Sequence, residues 1–235
     1  MNNTLANGLA LLDFLSHTAE TFGVSELATK LTLPKSHVHR LLQTLVTAGY
    51  AVQEADRRYR IGLRPLEVSC ALLHNLPLRA AALPSLHRLA KSTRLDAFVA
   101  IPHQGGGLVV GAVYTDGLQR DPAASIGMML KGGTATCALF SACISGFAKP
   151  TCTASEATKI RRARFAVKDP EFSGPMNGMA ALVSDSTGTT LGALCLSGPT
   201  EEFSENFDQK STLLRTLADE LGARFAHQAT AKGTP

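Results

Sequence analysis

Leucines at positions 5, 9, 12 and 15 recur at helical spacing, so the pattern predicts a first helix over residues 4–17 with these four side chains on its buried side. Gly23 and Val24 interrupt the period. Ser25 is then placed to cap a short helix over residues 26–31, with Glu26 in the first turn, where the helix dipole favours an anion. Thr32 and Leu33 leave room only for a tight turn, and Pro34 suits the first turn of a third helix. That helix reaches about Ala48 and ends at Gly49, a residue suited to a left-handed cap. Val38, Leu41, Leu42 and Leu45 form its core stripe. The opposite face carries Ser36, Arg40, Gln43 and Thr47, flanked by His37 and Thr44, while His39 lies nearer the buried flank.

After Gly49 the period changes to two. Residues 50–53 and 58–61 read as short strands around a turn at 54–57, with Tyr59 and Ile61 on one face and Arg58 and Arg60 on the other. Two close helices followed by a basic hairpin make a winged helix-turn-helix. The helical period returns from Leu63 through Leu66, Val68, Leu72, Leu73 and Leu76, then again over 78–94, with a boundary near residues 75–77. The first of these helices has more apolar residues than one short contact needs, which suits a linker that pairs with a second subunit as well as one packed within its own chain. Beyond it, strands are expected over 97–101 and 108–114 (joined by the glycine run), 179–184 and 191–197. Helices are expected over 134–147, 155–164 and from Ser204 onward. Antiparallel strands with helices packed on them make an α+β domain. The predicted organisation is a winged helix over 1–62, a linker helix over 63–76 and a second domain over 77–235.

Composition sharpens this picture. The 235 residues suffice for two cores, and the 45% apolar fraction is ordinary for a globular chain. No stretch reads as membrane-spanning, and the first residues lack the basic region of an export signal, so a cytoplasmic protein is expected. Five cysteines without a CxxC pair favour reduced thiols over a disulfide framework or a structural zinc, and no cofactor is implied. The net charge is only +4, yet residues 30–64 carry seven basic side chains against Glu54 and Asp56, a local +5. Charge alone leaves open a polyanion partner or a solvated basic face. Arg40 tips the balance toward double-stranded DNA: no acidic residue lies three or four positions away to answer it. A small, polar, cationic helix face suits a major groove.

The segments Ser25-Glu26-Leu27-Ala28, Leu33-Pro34-Lys35-Ser36, Val38-His39-Arg40-Leu41-Leu42 and Gly49-Tyr50, together with Tyr59-Arg60-Ile61-Gly62, Leu66-Glu67 and Leu196-Ser197-Gly198-Pro199, resemble the IclR family of bacterial transcriptional regulators. The resemblance implies an N-terminal DNA reader, a dimerising linker helix and a GAF-like effector-binding domain. It also implies a small organic acid as effector and a palindromic operator bound by a dimer or a dimer of dimers. Four departures stand out. Thr32 occupies a turn position usually held by glycine, where a β-branched residue is strained. Lys168 falls on a usual acidic position, Gly178 on a frequent pocket cysteine, and Cys195 on one of two serines, the other being kept as Ser197.

The expected DNA contacts are Ser25, Lys35, Ser36, His37, Arg40, Gln43 and Thr44, with Arg57, Arg58 and Arg60 from the wing. Lys35 and Ser36 at a helix start suit phosphate, while Arg40 and Gln43 suit base edges. The expected effector site comprises Gly132, Gly133, Thr134, Thr136, Cys137, Lys168, Met176, Gly178, Met179, Cys195 and Ser197, with Leu130 and Phe165 as further apolar wall. Two other readings stay open: a redox-sensing regulator using Cys137 or Cys152, and a thiol enzyme pairing Cys137, Cys143 or Cys152 with His103 or Asp169, although no nucleophile–base motif is visible.

Overall fold

The computed structural model describes residues 3–115, 125–147, 151–167 and 176–225. The chain divides into two compact units, Met1–Asn75 and Leu76–Pro235. The first contains α1 (Asn3–Ser16), α2 (Val24–Leu31), α3 (Lys35–Thr47), the antiparallel pair β1 (Ala51–Gln53) and β2 (Tyr59–Ile61), and α4 (Arg64–His74). Its core gathers Leu11 and Leu15 of α1, Leu27 and Ala28 of α2, Val38, Leu41 and Leu42 of α3, and Ala51 and Tyr59 of the hairpin.

Two local expectations are corrected. The buried side of α1 is the stripe Gly8–Leu11–Leu15, in which Gly8 faces Leu41. Leu5 and Leu9 stand 62% and 58% exposed. Leucines at both spacings share Leu15, so periodicity alone admits either side. Ser25 is not the cap of α2: the helix begins two residues earlier with Gly23 at its N-cap, and the Glu26 carboxylate accepts the Gly23 N–H at 2.9 Å.

Thr32 does take the left-handed conformation, at φ 54° and ψ 44°, and the turn closes as the Leu33 N–H donates to the Ala28 carbonyl at 3.0 Å. This six-to-one bond ends α2 in the way glycine normally permits. A β-branched residue held there costs roughly 1–2 kcal/mol, partly offset by the extra backbone freedom glycine brings to the unfolded chain. Thr32→Gly is therefore expected to stabilise the protein by about 1 kcal/mol, read as a higher urea midpoint; an unchanged or lower midpoint would show that the turn carries no such strain.

The second unit is an antiparallel six-stranded sheet in the order β5-β4-β3-β8-β7-β6. Its strands are β3 (Asp96–His103), β4 (Gly106–Val113), β5 (Met129–Leu130), β6 (Phe165–Val167), β7 (Met176–Ser184) and β8 (Thr190–Pro199). One face is covered by α5 (Pro77–Thr93) and α9 (Phe207–Ala223), the other by α6 (Ala135–Cys143), with α7 (Ala154–Ala163) beside it. The terminal helix expected from Ser204 is two helices, α8 (Thr200–Ser204) and α9, separated at Asn206, which is left-handed at φ 50°.

The glycine run is strand rather than loop. Gln104 and Gly105, both at positive φ, make a two-residue hairpin turn, and Gly106 and Gly107 already belong to β4. A Cβ on Gly106 would lie 2.4 Å from the Leu130 carbonyl oxygen, and one on Gly107 2.9 Å from Thr136. These glycines thus let β5 and α6 close on β4. Strand alternation then sorts the sheet: Phe98, Ala100, Ala180, Leu182, Ala193 and Cys195 join the α6-side core with Leu139 and Phe140.

Candidate nucleic-acid interface and ligand pocket

On α3 the side chains of Lys35, Ser36, His39, Arg40, Gln43, Thr44 and Thr47 are exposed, while Val38, Leu41 and Leu42 are buried. Core packing therefore fixes the helix so that one polar face stands outward. Arg40 makes no ion pair among the described residues, and the Thr44 hydroxyl donates back to the Arg40 carbonyl at 3.1 Å. The two histidines exchange the expected places. His37 is half-buried and its Nε2 accepts from the Asn7 Nδ2 amide at 3.3 Å, so it fastens α3 to α1; His39 is exposed beside Lys35 and Gln43. The four-residue spacing 35–39–43 is the signal that would have placed His39 on the outer face.

The wing arginines do not act alike. Arg58 donates to the Thr21 hydroxyl at 3.0 Å and carbonyl at 2.6 Å, and pairs with Glu26 at 2.9 Å. The Gly23 N–H and then the Arg58 guanidinium hold the Glu26 carboxyl below the usual range. Arg60 pairs with Glu54 across the hairpin. Both expected DNA contacts are engaged within the unit: Arg58 ties the wing to the start of α2, and Arg60 braces the hairpin. Arg57 makes no ion pair among the described residues and sits at the turn itself, left-handed at φ 64°, where the Arg57 N–H closes on Glu54 at 2.9 Å. Ser25 is exposed in the first turn of α2.

In the second unit a cavity of about 60 Å³ lies between the start of α6 and strands β3, β7 and β8. Thr134, Thr136, Gly178, Met179 and Ser197 of the expected set border it, together with Leu130. Phe98, Ala135, Asn177 and Leu196 border it too and were not foreseen, because nothing in the sequence spacing brings β3 beside α6. By alternation Met179, Asn177 and Leu196 aim their side chains at the other face and contribute backbone.

Several expected members fall outside it. Gly132 and Gly133 are exposed at the surface before α6. Cys137 is buried with its thiol donating to the Leu130 carbonyl at 3.1 Å, and Cys195 lies beneath the cavity with its sulfur 3.3 Å from the Thr136 hydroxyl. Phe165, at the edge strand, sits under the Arg215 guanidinium and does not border the cavity. Lys168 lies outside the described residues, and Met176 begins β7.

The chemistry of the cavity comes from α6. The Thr134 hydroxyl is used as the cap, accepting the Cys137 N–H at 3.2 Å and donating to the Lys131 carbonyl at 3.2 Å. The N–H groups of Ala135 and Thr136 belong to the first turn and have no acceptor within the helix, and both residues border the cavity. A helix start facing an enclosed space favours an anion.

Comparison with known proteins now joins this geometry. The family description "IclR helix-turn-helix domain" matches residues 4–55. The HTH-type transcriptional repressor AllR of Escherichia coli K12 is 24% identical over 96% of this chain and 91% of its own. The first unit of this chain thus matches an IclR helix-turn-helix domain, and the whole chain is similar in fold to IclR. AllR of Salmonella typhi is likewise 24% identical over 92% of this chain and 88% of its own. Among solved folds of the IclR type, that of Thermotoga maritima IclR covers 97% of this chain and 100% of its own with a TM-score of 0.76 at 22% identity. An IclR homolog from Microbacterium hydrocarbonoxydans, solved in complex with 4-hydroxybenzoate, covers 93% and 97% with a TM-score of 0.78 at 19% identity. These likenesses bear out the IclR resemblance and the α+β architecture.

Proposed function

We propose that this chain is a dimeric transcriptional repressor that binds a palindromic operator through α3 and the tip of the wing, and is controlled by a small carboxylate held at the start of α6. The observation that carries the reading is the outward face of α3, exposed, cationic and unanswered at Arg40. Lys35, Ser36, Thr44 and Ser25 take phosphates, Arg40 and Gln43 read base edges, and Arg57 reaches the backbone from the wing. His39 joins this set, whereas His37, Arg58 and Arg60 position the two elements. The AllR relatives are transcriptional repressors, and the Microbacterium homolog was solved in complex with 4-hydroxybenzoate.

The effector is small. A cavity of about 60 Å³ holds on the order of four water molecules. Its carboxylate would meet the Ala135 and Thr136 N–H groups and the Ser197 hydroxyl. Gly178 opens the space: a Cβ there has only the Leu196 oxygen nearby, at 3.6 Å. Gly178→Val should therefore fold, yet fill the cavity and lose about tenfold or more in effector affinity, the cost of at least 1.4 kcal/mol of lost fit. Titration calorimetry checks this, and undiminished binding would place the effector elsewhere.

Mobility shifts on the protein's own upstream region, with and without short carboxylates, test the whole reading. A ligand must favour one state of the protein over another to change operator affinity. Retardation that is salt-sensitive and released by an acid is the expected result; no retardation at low salt would end the proposal.

The thiol readings gain no support. Cys137 is fully buried, out of reach of an oxidant or substrate, and burial pushes the Cys195 thiol up to about 12, away from the thiolate. Burial also raises Cys143, and His103 lies exposed at a hairpin end. No group of histidine, cysteine, aspartate and glutamate side chains suited to a metal occurs among the described residues, and no helix there is long and apolar enough to cross a membrane.

A further inference from the structure

A second cationic face stands outside the DNA-reading unit. The sequence from 149 to 168 carries six basic residues against Glu156 alone, the same local +5 that residues 30–64 hold over a longer stretch. Four of the six residues from Lys159 to Arg164 are basic, and all four are exposed. They lie on α7 or at its end, and Ile160 among them packs against the α6-side core.

Core packing sorts these cations. With Ala157 and Ile160 half-buried, the helix turns Ser155, Thr158, Lys159 and Arg162 outward at the spacing i, i+3, i+4, i+7. This is the kind of face that α3 presents, down to a threonine hydroxyl donating one turn back, here from Thr158 to the Ala154 carbonyl at 3.0 Å. Arg161 is engaged within the fold, its Nε donating to the Ala142 carbonyl at 2.8 Å and so fastening α7 to α6. Glu156 is occupied at the helix cap, where it accepts the Thr153 N–H and the Thr153 hydroxyl, each at 2.7 Å. Lys159 and Arg162 make no ion pair among the described residues. Like charges one turn apart repel, so the pair is mildly unfavourable until an anion lies across it.

We propose that the outward face of α7 is a second, sequence-independent contact with the DNA backbone, made by Lys159 and Arg162 with Ser155 and Thr158 beside them. Its charge complements a row of phosphates. An exposed helix face encloses nothing, which suits an extended polyanion better than a small acid. A duplex already held through α3 is also present at high effective concentration, so even a weak second contact adds to the grip. Contacts of this kind strengthen binding to any duplex and read no bases. The inference rests on the chain binding DNA through α3, and gives the second unit a share in that binding.

The test is the salt dependence of binding by the full chain to a long fragment carrying the operator. Each phosphate contact adds roughly 0.9 to the slope of log affinity against log salt, so Lys159→Gln with Arg162→Gln should flatten it by about two. From about 50 to about 200 mM salt, wild type should then lose about tenfold more affinity than this variant. The effect should be the same on a scrambled fragment of equal length, unlike that of a base contact. Arg88→Gln with Lys91→Gln is the control, since it removes the same charge from exposed positions on α5, across the sheet from α7. It should leave the slope unchanged. An unaltered slope in the α7 variant overturns the assignment, and so does an equal flattening by both pairs, because net charge alone would then explain it. A smaller mass of the α7 variant in light scattering overturns it too, as the face would then meet a second copy. If wild type binds neither fragment, the DNA reading itself falls, and the α7 contact with it.

Discussion

Replacing Arg40 with alanine should weaken operator binding by roughly 1–3 kcal/mol, about five- to 150-fold, and leave binding to random duplex within a few-fold. The asymmetry is the point. A phosphate contact contributes to every sequence alike, whereas a guanidinium that meets a guanine edge contributes only where that guanine is present. Arg40 suits the second task because α3 is fixed by Val38, Leu41 and Leu42, so its outward side chains have a defined direction. It makes no ion pair among the described residues, so no internal bond must break before DNA is met. Competition mobility shifts with operator and scrambled duplex measure both affinities. Equal losses on the two would make Arg40 a phosphate contact and move base reading to Gln43 and its neighbours.

The wing shows why charge counted along a sequence overstates an interface. Arg57, Arg58 and Arg60 look equivalent in the run that gives residues 30–64 their positive excess. In the fold Arg58 is fastened to Thr21 and Glu26, thirty-two and more residues away, and Arg60 to Glu54. Sequence spacing revealed the helix face because a helix repeats every 3.6 residues. It could not reveal the Arg58 bonds, which depend on how the hairpin folds back on α2. The same limit appears at α1, where two leucine stripes share Leu15 and only the packing of the core chooses between them.

The ligand cavity was legible where its residues lie close in sequence or carry a family resemblance: Thr134 and Thr136 on α6, Gly178 on β7 and Ser197 on β8. Phe98 went unnoticed, since its place opposite Cys195 is a matter of strand register rather than of motif. Buried polar groups on strands escape pattern reading altogether. Asp96 falls in an apolar run, where a half-buried strand also admits a charged residue pointing outward. Its burial and its unpaired oxygen emerge only once both neighbouring strands are in place.

The double substitution Leu66→Asp with Leu72→Asp should convert the protein to a monomer and lower operator affinity by at least about a hundredfold. The helix α4 buries no residue at all, although Leu63, Leu66, Val68 and Leu72 are 73%, 60%, 48% and 61% exposed. They stand on two sides of the helix, Leu63 and Leu66 on one and Val68 and Leu72 on the other, at helical spacing. Large apolar side chains left exposed on both sides of one helix mark an interaction site, and a two-fold contact between copies is the commonest way to cover them. A palindromic operator rewards that arrangement, because the second DNA-reading unit then binds at high effective concentration. The core of the first unit contains none of these four side chains, so the variant should keep its fold while losing its partner. Light scattering reports the mass, and mobility shifts report the affinity. A variant that remained dimeric would move the subunit contact off α4; one that became monomeric yet bound the operator undiminished would show that a single reading unit suffices, and the two-fold arrangement would contribute nothing to recognition.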